Sequence, residues 1–322
     1  MSPLILGVDG GNTKTIALVA DTDGAIVGKG RAGCADVHAA FGSAAAIDEI
    51  VAAVSEALKS AGAQPPEIAA SAFSLAGADW QEDFEFLRRS LAARLALSEP
   101  RVVNDAVGLL RCGSAAMTGV AVAIGTGGAL ASRNRAGDVY HYGFWPDPMG
   151  GAALASAAMR AVYRADLGLG EPTSLTGRVC AVFDVSTPRE LLFALNQRDA
   201  KVDVSSRGLP ALVLDEAEAG DAVARSIVQE IVDCLGRAAR ITADAVGLDA
   251  GDPLVLGGGV LTHPSTLLSE GIAEVGGFDA VVRTDLQPVV GALLMALDTL
   301  GIEVQLETIA ASMPELAFFA TA

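Results

Sequence analysis

The stretch GVDGGNTKT, Gly7 to Thr15, is a glycine-rich turn set between two apolar runs. Leu4, Leu6 and Val8 alternate before it, and Ile16, Leu18 and Ala20 after it, which predicts a β-hairpin. Glycine lets the backbone approach an anion closely, and Thr13, Lys14 and Thr15 add hydroxyl and ammonium donors. Asp9 falls at the strand end, where a carboxylate can hold Mg²⁺ through its waters. The turn is not a Walker A loop, because Thr13 stands where that motif needs glycine before the lysine, and because the turn joins two strands. Nor is it a dinucleotide fingerprint, which opens a helix. Alone, the pattern fits a tight turn with no ligand equally well.

A second turn of the same kind, IGTGGAL (Ile124 to Leu130), lies in the other half of the chain between the runs VAVA and LAS. The repeated hairpin predicts two related halves, each offering a Gly/Thr turn, that grip a polyphosphate from both sides of a cleft. A third element, VLGGGVL (Val255 to Leu261), follows a strand, with a helix expected from near Pro264. Its glycines form either a packing device or a flat surface for an adenosine. Between the two turns comes VVNDAVGLL. Asp105, at a strand end and a helix start, is either an N-cap or the base that deprotonates a hydroxyl acceptor in phosphoryl transfer, with Asn104 beside it to bond that acceptor.

The bulk numbers fit this reading. The 322 residues suffice for two α/β domains, and 51% hydrophobic content describes a packed globule. A net charge of −17 argues against nucleic acid and anionic membrane as partners. Cys34, Cys112, Cys180 and Cys234 form no CxxC pair, so neither a zinc site nor a disulfide framework is expected. The N-terminus MSPLILGVDGG shows no signal-peptide pattern and no stretch approaches a membrane span, so a cytoplasmic protein is expected. Helices are expected over Ser43–Ala61, Asp83–Leu97, Gly151 to about Ala165, Pro188–Leu195, Asp221–Val246 and Pro288–Leu300. The boundary falls near Ala115–Gly119, giving an N-terminal domain of residues 1–116 and a C-terminal domain of 117–322. The apolar tail Leu316 to Ala322 is expected to cover a core edge, with a subunit contact in a homodimer as the alternative.

The ordered set GVDGGNTKT, AGAD, ND, AIGTGG and VLGGGV resembles the BadF/BadG/BcrA/BcrD-type ATPases of the actin/hexokinase superfamily, and within them the N-acetylglucosamine kinase-like branch, over roughly Leu4 to Leu300. The resemblance implies two actin-like, ribonuclease H-like α/β domains closing over ATP, Mg²⁺ and a sugar. It implies a first phosphate loop of Gly10, Gly11, Asn12, Thr13 and Lys14, a second of Gly125, Thr126 and Gly127, and a nucleoside wall of Gly257, Gly258 and Gly259. Asp105 would be the base, and Asp36 and the loop Ala76–Asp79, with Gly77 and Asp79, would face the sugar. The family's Gly-Asp-Glu-Gly-Ser segment is replaced here by YGFWPDPMGGAALAS. Trp145 and Asp147 are the residues that would take its place at the sugar. Trp145 has a second reading as a core aromatic, and Lys14 reaches either a phosphate or solvent.

The expected activity is ATP-dependent phosphorylation of a sugar or amino sugar, N-acetylglucosamine or glucosamine. Two other functions share the fold. One is an ATPase that drives electrons into a radical dehydratase through an iron–sulfur cluster, for which neither Cys112 nor Cys180 lies in the expected Cys-Ala-rich Gly loop. The other is a silent sugar- or nucleotide-binding regulator, which would not need Asp9, Asp105 and two phosphate turns together.

Overall fold

The computed structural model describes residues 3–142, 149–197 and 208–320. The first hairpin, β1 (Leu4–Gly10) and β2 (Thr15–Ala20), continues into β3 (Ile26–Ala32), α1 (Ser43–Ala61), β4 (Ile68–Leu75), α2 (Gln81–Leu95), β5 (Arg101–Asn104) and α3 (Asp105–Gly113). The second hairpin, β6 (Gly119–Ile124) and β7 (Gly128–Arg133), leads to β8 (Val139–Tyr142). There follow α4 (Gly151–Asp166), α5 (Leu175–Val182), α6 (Pro188–Leu195), α7 (Leu209–Glu218) and α8 (Ala222–Asp244). The chain closes with β9 (Leu254–Gly257), α9 (Leu267–Gly276), β10 (Val281–Arg283), α10 (Pro288–Thr299), α11 (Leu306–Ser312) and α12 (Leu316–Phe319).

Each half builds a five-stranded sheet on one plan. The orders are β3-β2-β1-β4-β5 and β10-β9-β6-β7-β8. In both, the hairpin strands pair antiparallel while the strand after the helical excursion pairs parallel with the first. The second sheet is therefore the first repeated, as the duplicated hairpin predicts, and the molecule is a two-domain α/β fold.

Both sheets are covered on both faces, which is why their central strands are apolar throughout. Leu6, Val8, Ala17 and Val19 pack under α1 and α2, while Ile5, Ala70 and Ala72 pack against α10 and α3. In the second sheet Val120, Val122, Leu254 and Leu256 lie under α4, α7, α8 and α9. Ala121 and Val255 meet Leu109 and Leu110 of α3 on the other face. The 23-residue α8 shows how the sequence dictates this: Asp221 accepts from the Ala224 N–H as its N-cap, and Ala224, Ile227, Val228, Ile231, Val232 and Leu235 form one buried stripe.

The halves exchange helices. α3 follows the first sheet yet packs on β6, β7 and β9, and α10 follows the second yet packs on β1 and β4. The two helices meet at Gly108 and Gly291, where a Cβ on Gly291 would stand 2.0 Å from the Gly108 carbonyl oxygen. Arg111 of α3 and Asp298 of α10 clamp the far end with two hydrogen bonds of 2.8 and 3.0 Å. The tail returns to the first sheet, with Phe319 buried against Ile16, Leu18 and Val289.

Candidate active site

A cleft of about 1250 Å³ runs between the two sheets, large enough for two small substrates. Gly11, Asn12, Thr13 and Lys14 of the first turn line it, as do Gly125, Thr126 and Gly127 of the second. Each turn is closed by its own backbone, the Gly11 N–H donating to the Lys14 carbonyl and the Gly125 N–H to the Gly127 carbonyl. The turns meet: the Thr13 and Thr126 hydroxyl oxygens are 3.1 Å apart. The second turn is also held from below, because the Gly151 and Ala152 N–H groups of α4 donate to the Gly125 and Thr126 carbonyls at 2.9 Å. That contact gives Gly150, in the altered MGG segment, a packing reason, since a Cβ there would fall 2.4 Å from Gly127.

Two carboxylates sit in this cleft at strand ends. Among the described residues Asp9 has no side-chain hydrogen-bond or ion-pair partner, and burial, then repulsion from Asp105, pushes its pKa up to about 7. Asp105 lies at the first position of α3. The helix is capped by Asn104, whose side-chain oxygen accepts the Ala106 N–H at 3.1 Å. One oxygen of Asp105 also accepts from Ala106, at 3.0 Å, and the carboxylate takes a second backbone hydrogen bond from its own N–H. Burial, then the charge of Asp79, raises Asp105 to about 6. It is thus poised to ionise near neutrality while facing the cleft, the requirement for a general base.

The far end of the cleft is a ring of polar groups. Asn104 donates to the Asp79 carboxylate at 3.0 Å. Asp36 accepts the His38 N–H at 2.8 Å, and Gly77 is open enough for the Asp36 carboxylate to approach, a Cβ there falling 2.4 Å from it. His38 contacts Asp83 at 3.1 Å, which raises its pKa. His141, on β8 of the second sheet, crosses to the first: its Nε2–H donates to the Asp79 carbonyl at 2.6 Å, and its ring meets Phe84 edge-on. Burial raises the Asp79 carboxyl. Trp80, 54% exposed, stands at the rim.

On the side of the third glycine run, Gly258 and Gly259 line the cleft, together with Pro210 and Ala211 of α7, Thr262, His263, Thr284 and Gln287. Gly258 has φ +100, and a Cβ would sit 2.7 Å from the Ile124 carbonyl oxygen, so glycine is required there twice over. Gly257 and Gly10 face protein instead: their Cβ positions meet Leu109 and Ala35 at 2.6 Å. Helix α9 begins at Leu267 and not near Pro264, because His263 first makes a turn in which its Nδ1 accepts the Ser265 N–H. His263 also bonds Asp215 of α7 at 3.2 Å, tying α7 to the segment after the third glycine run. Trp145 and Asp147 lie outside the described residues. Sequence reading did not place α7, Trp80 or the tail residues Leu316 and Phe319 in the cleft, because no local motif marks them as cleft-lining.

The pattern of two matched Gly/Thr turns facing one cleft has known counterparts. The BadF/BadG/BcrA/BcrD ATPase family model matches residues 6–296. The chain belongs to that family. It is 25% identical over 315 residues to an N-acetyl-D-glucosamine kinase of Dictyostelium discoideum, covering 92% of this chain and 98% of the relative. In fold it is similar to a Chromobacterium violaceum protein provisionally named an N-acetylglucosamine kinase, with a TM-score of 0.70, 20% identity and coverage of 92% and 99%. It is also similar to a ROK family glucokinase of Streptomyces griseus, solved with glucose and AMPPNP, with a TM-score of 0.59, 20% identity and coverage of 92% and 100%. Among the described residues no helix is long and apolar enough to cross a membrane.

Proposed function

We propose that this family member is an ATP-dependent kinase that phosphorylates a hydroxyl of a sugar or amino sugar, with N-acetylglucosamine or glucosamine as the acceptor. The observation that carries the reading is the meeting of Thr13 with Thr126 in a cleft that Asp9 and Asp105 also line. The name of the Dictyostelium relative supports the substrate class.

The closing units are residues 1–116 and 117–322, with the last helices packed back on the first. The turns Gly10–Lys14 and Gly125–Gly127 hold the phosphates through backbone N–H groups and the two threonine hydroxyls. Gly258 and Gly259 face the nucleoside, and Gly257 and Gly10 support those loops from behind. Among the described residues no three His, Cys, Asp or Glu side chains form a metal cage. Mg²⁺ does not require one, because it keeps most of its waters and takes one or two carboxylates plus phosphate oxygens. Asp9, half-buried, with no side-chain hydrogen bond or ion pair among the described residues and facing the same cleft, fits that demand. When bound, Mg²⁺ neutralises charge on the transferring phosphoryl group.

The acceptor lies at the far end among Asp36, Gly77, Asp79 and Asn104, with Trp145 and Asp147 assigned to it from sequence. Asp105 takes the proton of the acceptor hydroxyl as that oxygen bonds the phosphoryl group and ADP departs. The His141 bond to Asp79 joins the two halves at this end and excludes water, the competing acceptor. The electron-transfer alternative asks for cysteine thiolates that can reach a shared iron–sulfur cluster, whereas Cys112 and Cys180 are buried. Incubation with ATP, Mg²⁺ and N-acetylglucosamine or glucosamine, followed by mass spectrometry, should yield a sugar phosphate. ADP with only inorganic phosphate would make the protein an ATPase and defeat the reading.

A further inference from the structure

The family match ends at residue 296, and the chain after it returns to the phosphate end of the cleft. Its path is fixed step by step. Ile309 is buried in the core of the first sheet, and the Ser312 hydroxyl accepts the Ile26 N–H at 2.8 Å. Arg31 donates to the Phe318 carbonyl at 3.0 Å, and the Lys29 ammonium lies 5.0 Å from the centre of the Phe318 ring. Phe319 is only 5% exposed, wedged against Ile16 and Leu18 of β2. Leu316, Phe319 and Ala320 then form part of the cleft wall itself.

The segment ends on Lys14. The Lys14 ammonium donates to the Phe319 carbonyl, and burial holds its pKa below the usual lysine value. A lysine side chain in water samples many rotamers, and ordering it costs conformational entropy. A carbonyl uses one of its three donors and leaves two for an anion. We propose that the C-terminal segment Leu316–Ala320 is a working part of the phosphate site, with Phe319 as the positioning residue whose main chain holds the Lys14 ammonium ready for the nucleotide's phosphates. The affinity it adds is preorganisation, an ordering already complete before ATP arrives. This rests on the reading of Gly10–Lys14 as a phosphate turn.

The test is a double-mutant cycle on the Kd for ATP with Mg²⁺, measured by titration calorimetry, which needs no acceptor. The four proteins are the full chain, Lys14→Met, a chain ending at Met313, and the two changes combined, each checked by thermal melting. Loss of a charged hydrogen-bond donor should weaken binding about 10- to 100-fold for Lys14→Met. Removal of the tail should weaken it about 10-fold in the full-length background and less than twofold in the Lys14→Met background. Phe319→Ala, which keeps the chain length, should move binding in the same direction and serves if the shortened chain does not fold. Equal losses in both backgrounds would make the tail merely structural and overturn the proposal alone. Unchanged or tighter binding on tail removal would overturn it too. Lys14→Met binding as well as the full chain would overturn the proposal and the phosphate-turn assignment together.

Discussion

Thr13 and Thr126 are 113 residues apart in sequence, and their hydroxyl oxygens lie 3.1 Å apart across the cleft they both line. One hydroxyl comes from each sheet, so this single contact reports the alignment of the two halves over the phosphate site. A bound polyphosphate would replace a weak hydroxyl pair with two hydrogen bonds to an anion. Hydrogen bonds to charged groups contribute about 1.5–3 kcal/mol each. Thr13→Val and Thr126→Val should therefore each lower kcat/KM for ATP about tenfold or more, with the sugar KM little changed. Steady-state kinetics on the single and double variants checks this.

Asp105 sets the acid limb of the pH profile. With its carboxyl raised to about 6, kcat/KM for the acceptor should fall as pH drops through about 6, because the protonated acid cannot accept the hydroxyl proton. Removal of a general base costs roughly 10²–10⁴-fold, so Asp105→Asn should lower kcat by that order while ATP still binds. A pH–rate series on the native protein and ATP titration of the variant check both halves.

Asp9 is a site of stored instability. Burial raises its carboxyl from the ordinary 3.8 to about 7 in the fold. The folded state therefore binds the proton more tightly than the unfolded chain, and its stability falls as pH rises from about 4 to about 7. Asp9→Asn should raise the melting temperature of the ligand-free protein by several degrees at pH 8, and the gain should shrink as pH falls towards 4. The same variant should lose Mg²⁺-dependent ATP binding. Calorimetric melts across pH with and without ATP and Mg²⁺ test the two effects together.

The helix exchange depends on two glycines. A methyl group on Gly291 would overlap the Gly108 carbonyl, and overpacking of this kind costs about 1–3 kcal/mol. Gly291→Ala should lower the melting temperature and, by spreading α3 from α10, displace Asp105 at the head of α3. Melting and kcat should therefore fall together, whereas Asp298→Ala, which removes only a partly exposed ion pair, should change either by little.

Much of this was legible in the sequence because it is local. Period-2 alternation around Gly10–Lys14 and Gly125–Gly127 marks the hairpins, and periodic apolar spacing bounds α1 at Ser43–Ala61 and α6 at Pro188–Leu195. The unread parts are non-local. Nothing in PVVGALLMALDT says that α10 belongs to the first sheet, because any apolar face would accept it; close approaches at Gly7, where a Cβ would meet the Leu293 backbone at 2.5 Å, and at Gly108–Gly291 select the partner. The same holds for His141, whose partner is a carbonyl 62 positions earlier, and for α7, whose Pro210 lines the cleft without any motif. The triple glycine divides for a steric reason: Gly257 faces Leu109, and only Gly258 and Gly259 reach the cleft. Of the two readings of Asp105, the capping one passes to Asn104.

The most direct test of the account is ADP release from ATP and Mg²⁺ in the presence of N-acetylglucosamine, glucosamine, glucose or no sugar, with native protein and Asp105→Asn side by side. The account predicts release that depends on one of the amino sugars and is lost in the variant. Release that ignores every sugar, or persists undiminished in Asp105→Asn, would contradict it.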